Sequence, residues 1–207
     1  MHTEKAIHEA ILLIGPTGSG KTPLGAYAEA AGFAGRRCVH FDFGHQLRLA
    51  AAGDPPENGL DSAATAHVRE VLATGALLEN EAFAIAETIL LRFIERHAPQ
   101  PDDIIVLNGL PRHVGQAQRI ARLLRIILVI NLHCTSEVVF ERIRHNSGGD
   151  RTGRQDDTPE EIRRKLVIFG ERTAPLLDHY RQQGVHVMTR TVDLQDAPAA
   201  LWSTTRP

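Results

Sequence analysis

The chain has 207 residues, 43% of them hydrophobic and 23% charged, with a formal net charge of -2. This is an ordinary globular composition, long enough to bury one full core in a single domain, 1–207. So balanced a charge gives no global field for nucleic acid or an anionic membrane, so neither is expected as a partner and any anion site must be local. Cys38 and Cys134 are the two cysteines and lie in apolar, strand-like segments. They read as buried free thiols of a reducing compartment. Without a signal-peptide pattern or a membrane-length apolar run, the expected location is the cytoplasm.

Short apolar runs alternate with longer amphipathic segments, the pattern of a parallel sheet covered by helices. Strands are predicted at 10–14, 37–41, 104–107, 126–132 and 185–189. Every position of Ile104-Ile105-Val106-Leu107 is apolar, as in a strand buried on both faces. Directly after the first strand comes Gly15-Pro16-Thr17-Gly18-Ser19-Gly20-Lys21-Thr22. It matches G-x-x-x-x-G-K-[ST] in the strand–loop–helix setting that this phosphate-binding (Walker A) motif requires. Gly15, Gly18 and Gly20 free the backbone so that N–H groups, including those around Ser19, can turn inward on an anion. The following helix N-terminus adds partial positive charge. Lys21 can reach the outer phosphates and the Thr22 hydroxyl can ligate Mg²⁺. A glycine-rich turn with an incidental lysine is the alternative, and both flanks argue against it.

The helix after the loop is predicted over 21–31, ended by Gly32. A long excursion follows the second strand: helix at 46–52, a loop at 53–59, and helix at 62–72 capped by Asp61 or Ser62. An amphipathic segment over 81–97 then presents Phe83, Ala86, Leu90, Phe93 and Ile94 at helical spacing, and Pro99-Gln100-Pro101 stops it. Residues 45–78 thus form a small helical insertion at the carboxyl edge of the sheet, where ligands bind in open α/β folds. Further helices are predicted over 114–125 and from Ser136 as cap to 144, with a polar loop at 146–157. Thr158-Pro159-Glu160-Glu161 is a capping box with proline at the first helical position. That helix runs until Pro175 breaks or kinks it, a second piece ends at Gly184, and a last short helix starts at 197.

Three further groups carry chemistry. Asn108-Gly109-Leu110-Pro111-Arg112 follows the third strand, with Gln116 one turn on. Gly109 permits close backbone approach, Arg112 offers a planar fork suited to phosphate, and Gln116 can pair with a base edge. Arg48 opens the insertion and can converge with Arg112 on one anion; alone it reads as a solvated helix arginine. Arg142, Arg144, Arg151 and Arg154 surround a loop before Asp156-Asp157, and Lys165 follows two turns into the next helix. Such a cluster is by itself a solvated, lid-like surface.

In this order the motifs resemble the adenylate kinase family of nucleoside monophosphate kinases over nearly the whole chain. The family's S-T-G-D-x-x-R is matched by Asp42-Phe43-Gly44-His45-Gln46-Leu47-Arg48, and its D-G-F-P-R-x-x-x-Q by the segment from Asn108 to Gln116. Its R-x-D-D is matched by Arg154-Gln155-Asp156-Asp157, with Lys165 as the basic residue of the next helix. Thr74-Gly75-Ala76-Leu77-Leu78-Glu79-Asn80-Glu81 resembles G-x-L-V-x-D-E, and Thr173-Ala174-Pro175-Leu176 with Tyr180 fits a late T-x-P signature. The resemblance implies a three-layer α/β P-loop kinase fold: a five-stranded parallel sheet with helices on both faces. A monophosphate-binding insertion at 45–78 and a short lid at 145–157, without structural zinc, complete it.

The implied reaction transfers the γ-phosphoryl group of ATP to a nucleoside monophosphate, AMP as first guess, with Mg²⁺, in a monomer. ATP would lie on the loop from Gly15 to Thr22, with Arg142 stacked over adenine. Phe43, Gly44, Arg48, Gly109, Arg112 and Gln116 would hold the acceptor. Lys21, Arg112, Arg154 and Lys165 would act on the transferring group, and Mg²⁺ would sit on Thr22 with Asn108 reaching it through water. Several positions depart from the family pattern. Asn108 replaces an aspartate, which predicts weaker hold on Mg²⁺; His45 replaces an acid; Phe43 leaves base preference open. Asn146 stands where a lid arginine is expected, with Arg144 or Arg151 as substitutes, and Lys165 replaces an arginine. These departures keep two alternatives: a catalytically weak ATP-binding module of the same fold, and a P-loop kinase for a small non-nucleotide metabolite.

Overall fold

The computed structural model describes residues 7–53, 59–151 and 157–205. Its strands are β1 (His8–Ile14), β2 (Cys38–Asp42), β3 (Ile104–Asn108), β4 (Leu124–His133) and β5 (His186–Thr191). They form one all-parallel sheet in the order β2-β3-β1-β4-β5. The helices in chain order are α1 (Lys21–Ala31), α2 (Phe43–Ala52), α3 (Ser62–Thr74), α4 (Phe83–His97) and α5 (Val114–Ile120). They continue with α6 (Ser136–Arg144), α7 (Pro159–Ile168), α8 (Leu176–Gln182) and α9 (Pro198–Ser203).

Alternation along β1 builds two cores, because successive side chains of a strand leave on opposite faces. Ala10, Leu12 and Ile14 join Phe83, Leu90 and Phe93 of α4 on one face. Ile11 and Leu13 join Leu24 and Ala28 of α1 and Trp202 of α9 on the other. Both layers exclude water, which is why β1 is apolar throughout from Ala10 to Ile14 and β3 from Ile104 to Leu107. On the second face Trp202 is fully buried, meets Phe33 edge-on and donates Nε1–H to the Gly32 carbonyl at 3.0 Å. This pins α9 to the end of α1.

Most predicted elements stand within a few residues of their expected bounds, and the differences have physical causes. The helix expected over 114–125 ends at Ile120, and Leu124 already begins β4. Leu124 is fully buried in β4, and a helix would place an apolar residue there as well, so apolar spacing could not separate the two. Thr135, not Ser136, caps α6, its hydroxyl accepting from the Val138 amide at 3.3 Å. Ahead of Pro175 the backbone widens into a π-helical turn, Phe169–Thr173, with the Ala174 amide bonded to the Phe169 carbonyl at 2.8 Å. Proline lacks the N–H that would continue an α-helical ladder, and the wider turn absorbs that loss. Asp61 caps α3 and Thr158 caps α7, as their side-chain chemistry requires.

Candidate active site

The strand order brings the carboxyl ends of β1, β2 and β3 side by side, at the edge where open parallel sheets bind ligands. One cavity opens there, and its wall includes Gly15, Gly18, Lys21 and Thr22 of the glycine-rich loop. Gly18 and Gly20 hold φ of 75° and 93°, a left-handed region that costs other residues strain. Gly20 is thereby the residue from which α1 starts. Lys21 folds back over its own loop: Nζ donates to the Gly15 and Pro16 carbonyls at 2.7 Å each, and to Ser19 Oγ at 3.4 Å. Part of Lys21 faces the cavity, but the walls desolvate the ammonium and lower its pKa to about 7; the charges of Arg112 and Arg151 push the same way. Ser19 is fully buried beneath the loop, and neither it nor Gly20 lines the cavity.

Beside Lys21, three side chains from three elements meet. The Thr22 hydroxyl donates to Asp42 Oδ2 at 2.6 Å, and Asn108 Nδ2 donates to the same oxygen at 2.7 Å and to Thr22 Oγ1 at 3.1 Å. Asp42 Oδ1 accepts the His45 amide at 2.8 Å and so caps α2. Burial alone would raise the Asp42 pKa; the Thr22 hydroxyl, the His45 amide and nearby positive charge outweigh it, and the carboxyl lies below its ordinary value.

Arg48 and Arg112 line the same cavity, with Phe43, Gly44 and Gly109 between them. Among the described residues neither guanidinium has a hydrogen-bond or ion-pair partner. With Lys21, Arg151 and Lys165, five positive groups among the described residues border one cavity, an arrangement that favours a polyanion. The Arg112 backbone is firmly held: its amide donates to Gln116 Oε1 at 2.8 Å and its carbonyl accepts from Thr173 Oγ1 at 2.8 Å. Gln116 is 1% exposed, donates Nε2–H to the Leu78 carbonyl at 2.7 Å and does not line the cavity. It ties the Arg112 turn to the irregular segment between α3 and α4. Arg142 also lies outside the lining: it is 4% exposed and donates to the carbonyls of Gly18, Asp193 and Leu194.

Known proteins with the same arrangement of sequence are adenylate kinases. That of Xanthomonas campestris pv. campestris (strain 8004) is 33% identical over 181 residues, covering 84% of this chain and 86% of its own. That of Xanthomonas oryzae pv. oryzae (strain MAFF 311018) is 32% identical over 181 residues with the same coverage. The enzyme of Xylella fastidiosa (strain M23) is 29% identical over 182 residues, 84% and 87% of the two chains. The chain belongs to the adenylate kinase family. It is an ATP-dependent phosphotransferase. No family model matches it.

The adenylate kinase resemblance singled out the 145–157 segment, of which Arg154, Gln155 and Asp156 lie outside the described residues. Within it Arg151 is 8% exposed in its side chain and lines the cavity. It donates Nη1–H to Asp157 Oδ1 at 2.6 Å and Nη2–H to Thr17 Oγ1 at 2.8 Å, while its amide donates to Asn146 Oδ1. Arg144 points elsewhere, paired with Glu141 at 2.6 Å. Asn146, at φ 47°, is a turn residue. Lys165 lines the cavity and stands 3.9 Å from Glu161. Two contributors escaped sequence reasoning: Asp42, and the contact of Arg151 with Thr17. For Asp42 a signal existed, since a carboxylate ending an apolar parallel strand falls on the ligand edge. Among the described residues no three His, Cys, Asp or Glu side chains cluster as a metal site, and no helix is long and apolar enough to cross a membrane.

Proposed function

We propose that the chain transfers the γ-phosphoryl group of ATP to a nucleoside monophosphate, AMP first, as a cytoplasmic monomer. The observation that carries this reading is the sharing of one cavity by the phosphate loop and two arginines, Arg48 and Arg112, whose guanidiniums have no partner among the described residues. A donor polyphosphate on the loop and an acceptor phosphate on the arginines would then face each other. Residues 45–78 act as the acceptor-binding insertion and 145–157 as the lid. Phe43, Leu47, Val71 and Leu72 form an apolar wall beside Arg48, suited to the acceptor base.

Transfer between phosphates needs positioning and charge stabilisation more than proton transfer. The monophosphate, with a second pKa near 6, is already largely ionised at neutral pH. The Lys21 ammonium, held over the loop, moves from backbone carbonyls to the donor phosphates. Arg48 and Arg112 orient the acceptor, the Thr173 and Gln116 bonds fix the Arg112 backbone, and Arg151, Arg154 and Lys165 bring further positive charge toward the transferring group. Thr22, Asp42 and Asn108 suit Mg²⁺, which takes few protein ligands beside phosphates and water. When bound, Mg²⁺ neutralises charge on the transferring phosphates.

A coupled assay with ATP and Mg²⁺ against AMP, CMP, UMP, GMP and dTMP tests the reading. Turnover fastest with AMP is the expected result. ATP binding with no turnover on all five would overturn it in favour of a binding module, and turnover only with a metabolite alcohol in favour of a different kinase.

A further inference from the structure

The family pattern has an aspartate where this chain has Asn108, yet the site retains a carboxylate. Asp42 and Asn108 are register partners at the last positions of β2 and β3. The Asn108 amide donates to Asp42 Oδ2 at 2.7 Å. At that separation two carboxylates would repel, so only one position of the pair can comfortably carry the charge. Here the charge stands on β2. Among the described residues the cavity wall holds one carboxylate besides Asp42, that of Asp150, and Thr22 bonds to Asp42.

The hydrogen-bond directions fix the consequences. Thr22 Oγ1 gives its proton to Asp42 Oδ2 and accepts from Asn108 Nδ2, which leaves one lone pair of the hydroxyl for a cation. Asp42 receives donors on both oxygens, from His45 on one and from Thr22 and Asn108 on the other, and all three hold it as an anion. Asn108 cannot supply negative charge, and its donor face is turned inward to the other two side chains. We propose that Asp42 carries the negative charge that holds Mg²⁺ at Thr22, and that Asn108 is the neutral donor that orients this carboxylate. The anionic position of the metal site has thus moved one strand across the sheet. The inference rests on the phosphotransferase reading above.

The test is calorimetric titration of the full chain with β,γ-methylene ATP, with and without Mg²⁺. It compares the native chain with Asp42→Asn, Asn108→Asp and the exchange Asp42→Asn/Asn108→Asp. Asparagine can still cap α2, so Asp42→Asn should fold, which thermal unfolding checks; Asp42→Ser, also a cap, makes the same comparison if it does not. Native protein should bind the analogue more tightly with Mg²⁺. Asp42→Asn should weaken apparent Mg²⁺ affinity by about 10–100-fold while leaving Mg²⁺-free binding within about twofold. The exchange should restore much of the Mg²⁺ effect, whereas Asn108→Asp alone, with two opposed carboxylates, should not improve on native. An unchanged Mg²⁺ effect in Asp42→Asn, or equal weakening with and without the metal, would overturn the assignment. Failure of the native chain to bind the analogue at all would overturn the function itself instead.

Discussion

Arg151 Nη2 donates to Thr17 Oγ1 at 2.8 Å, joining the segment after α6 directly to the phosphate loop across 134 positions of sequence. The same guanidinium holds Asp157 at 2.6 Å, with both side chains largely buried. One residue thus ties Asn146, Asp157 and the glycine-rich loop together. Planarity matters, because a fork serves two acceptors at once and a lysine serves them poorly.

Arg151→Ala is expected to lower stability by about 1–3 kcal/mol in chemical denaturation, since it leaves the mostly buried Asp157 without this partner. Turnover at saturating ATP should fall as well. Arg151→Lys should recover part of the stability but less of the rate. A variant of parental stability would show that the Asp157 pair contributes nothing.

Lys21 makes both stability and binding depend on pH. Its folded pKa is about 7 against an ordinary 10.5, so between those values the unfolded chain binds more protons. The contribution of this group to stability therefore rises with pH through that window and is smallest below it, where a charged lysine stays desolvated. A bound polyphosphate favours the charged form, so ATP binding near pH 8 should take up about one proton. Calorimetry in buffers of different ionisation heat measures this uptake; none at pH 8 would refute it, and Lys21→Met should abolish it.

Arg48 and Arg112 are expected to act on the acceptor. Arg48→Ala and Arg112→Ala should each raise the acceptor KM by about 10–100-fold, the loss of a charge-assisted hydrogen bond, with the KM for ATP changed by no more than about threefold. Steady-state kinetics with each substrate varied in turn checks the split. A larger effect on ATP would place these guanidiniums on the donor instead.

Gln116 is expected to act through the backbone it holds. Gln116→Ala removes bonds to the Arg112 amide and the buried Leu78 carbonyl, and should cost about 1–3 kcal/mol of stability as well as raising the acceptor KM. Gln116→Glu keeps the acceptor for Arg112 but sets an oxygen against the Leu78 carbonyl, so it should be no better in stability. A loss of acceptor binding with unchanged stability in both variants would point to direct contact with the base.

The sequence by itself determined the strands, the phosphate loop, the cap at Thr158 and the family, and narrowed the cap of α3 to Asp61 or Ser62. Each of these is written in contiguous residues: an apolar run, a glycine spacing, a hydroxyl or carboxylate before a helix. The tertiary structure decided what depends on strand order. Thr22, Asp42 and Asn108 are 20, 66 and 86 positions apart in their three pairings, and no local pattern announces that they share one set of hydrogen bonds. Read alone, Asn108 is a missing charge; read beside its register partner, it is the donor to a charge on the next strand. Gln116 and Arg142 likewise display polar groups in sequence, but the fold spends them on backbone carbonyls and amides, because a buried polar group must find a partner wherever packing places one. The limit of α5 was hidden for a related reason. An apolar Leu124 suits the inner face of a helix or a strand alike, and only its pairing with β1 makes it a strand.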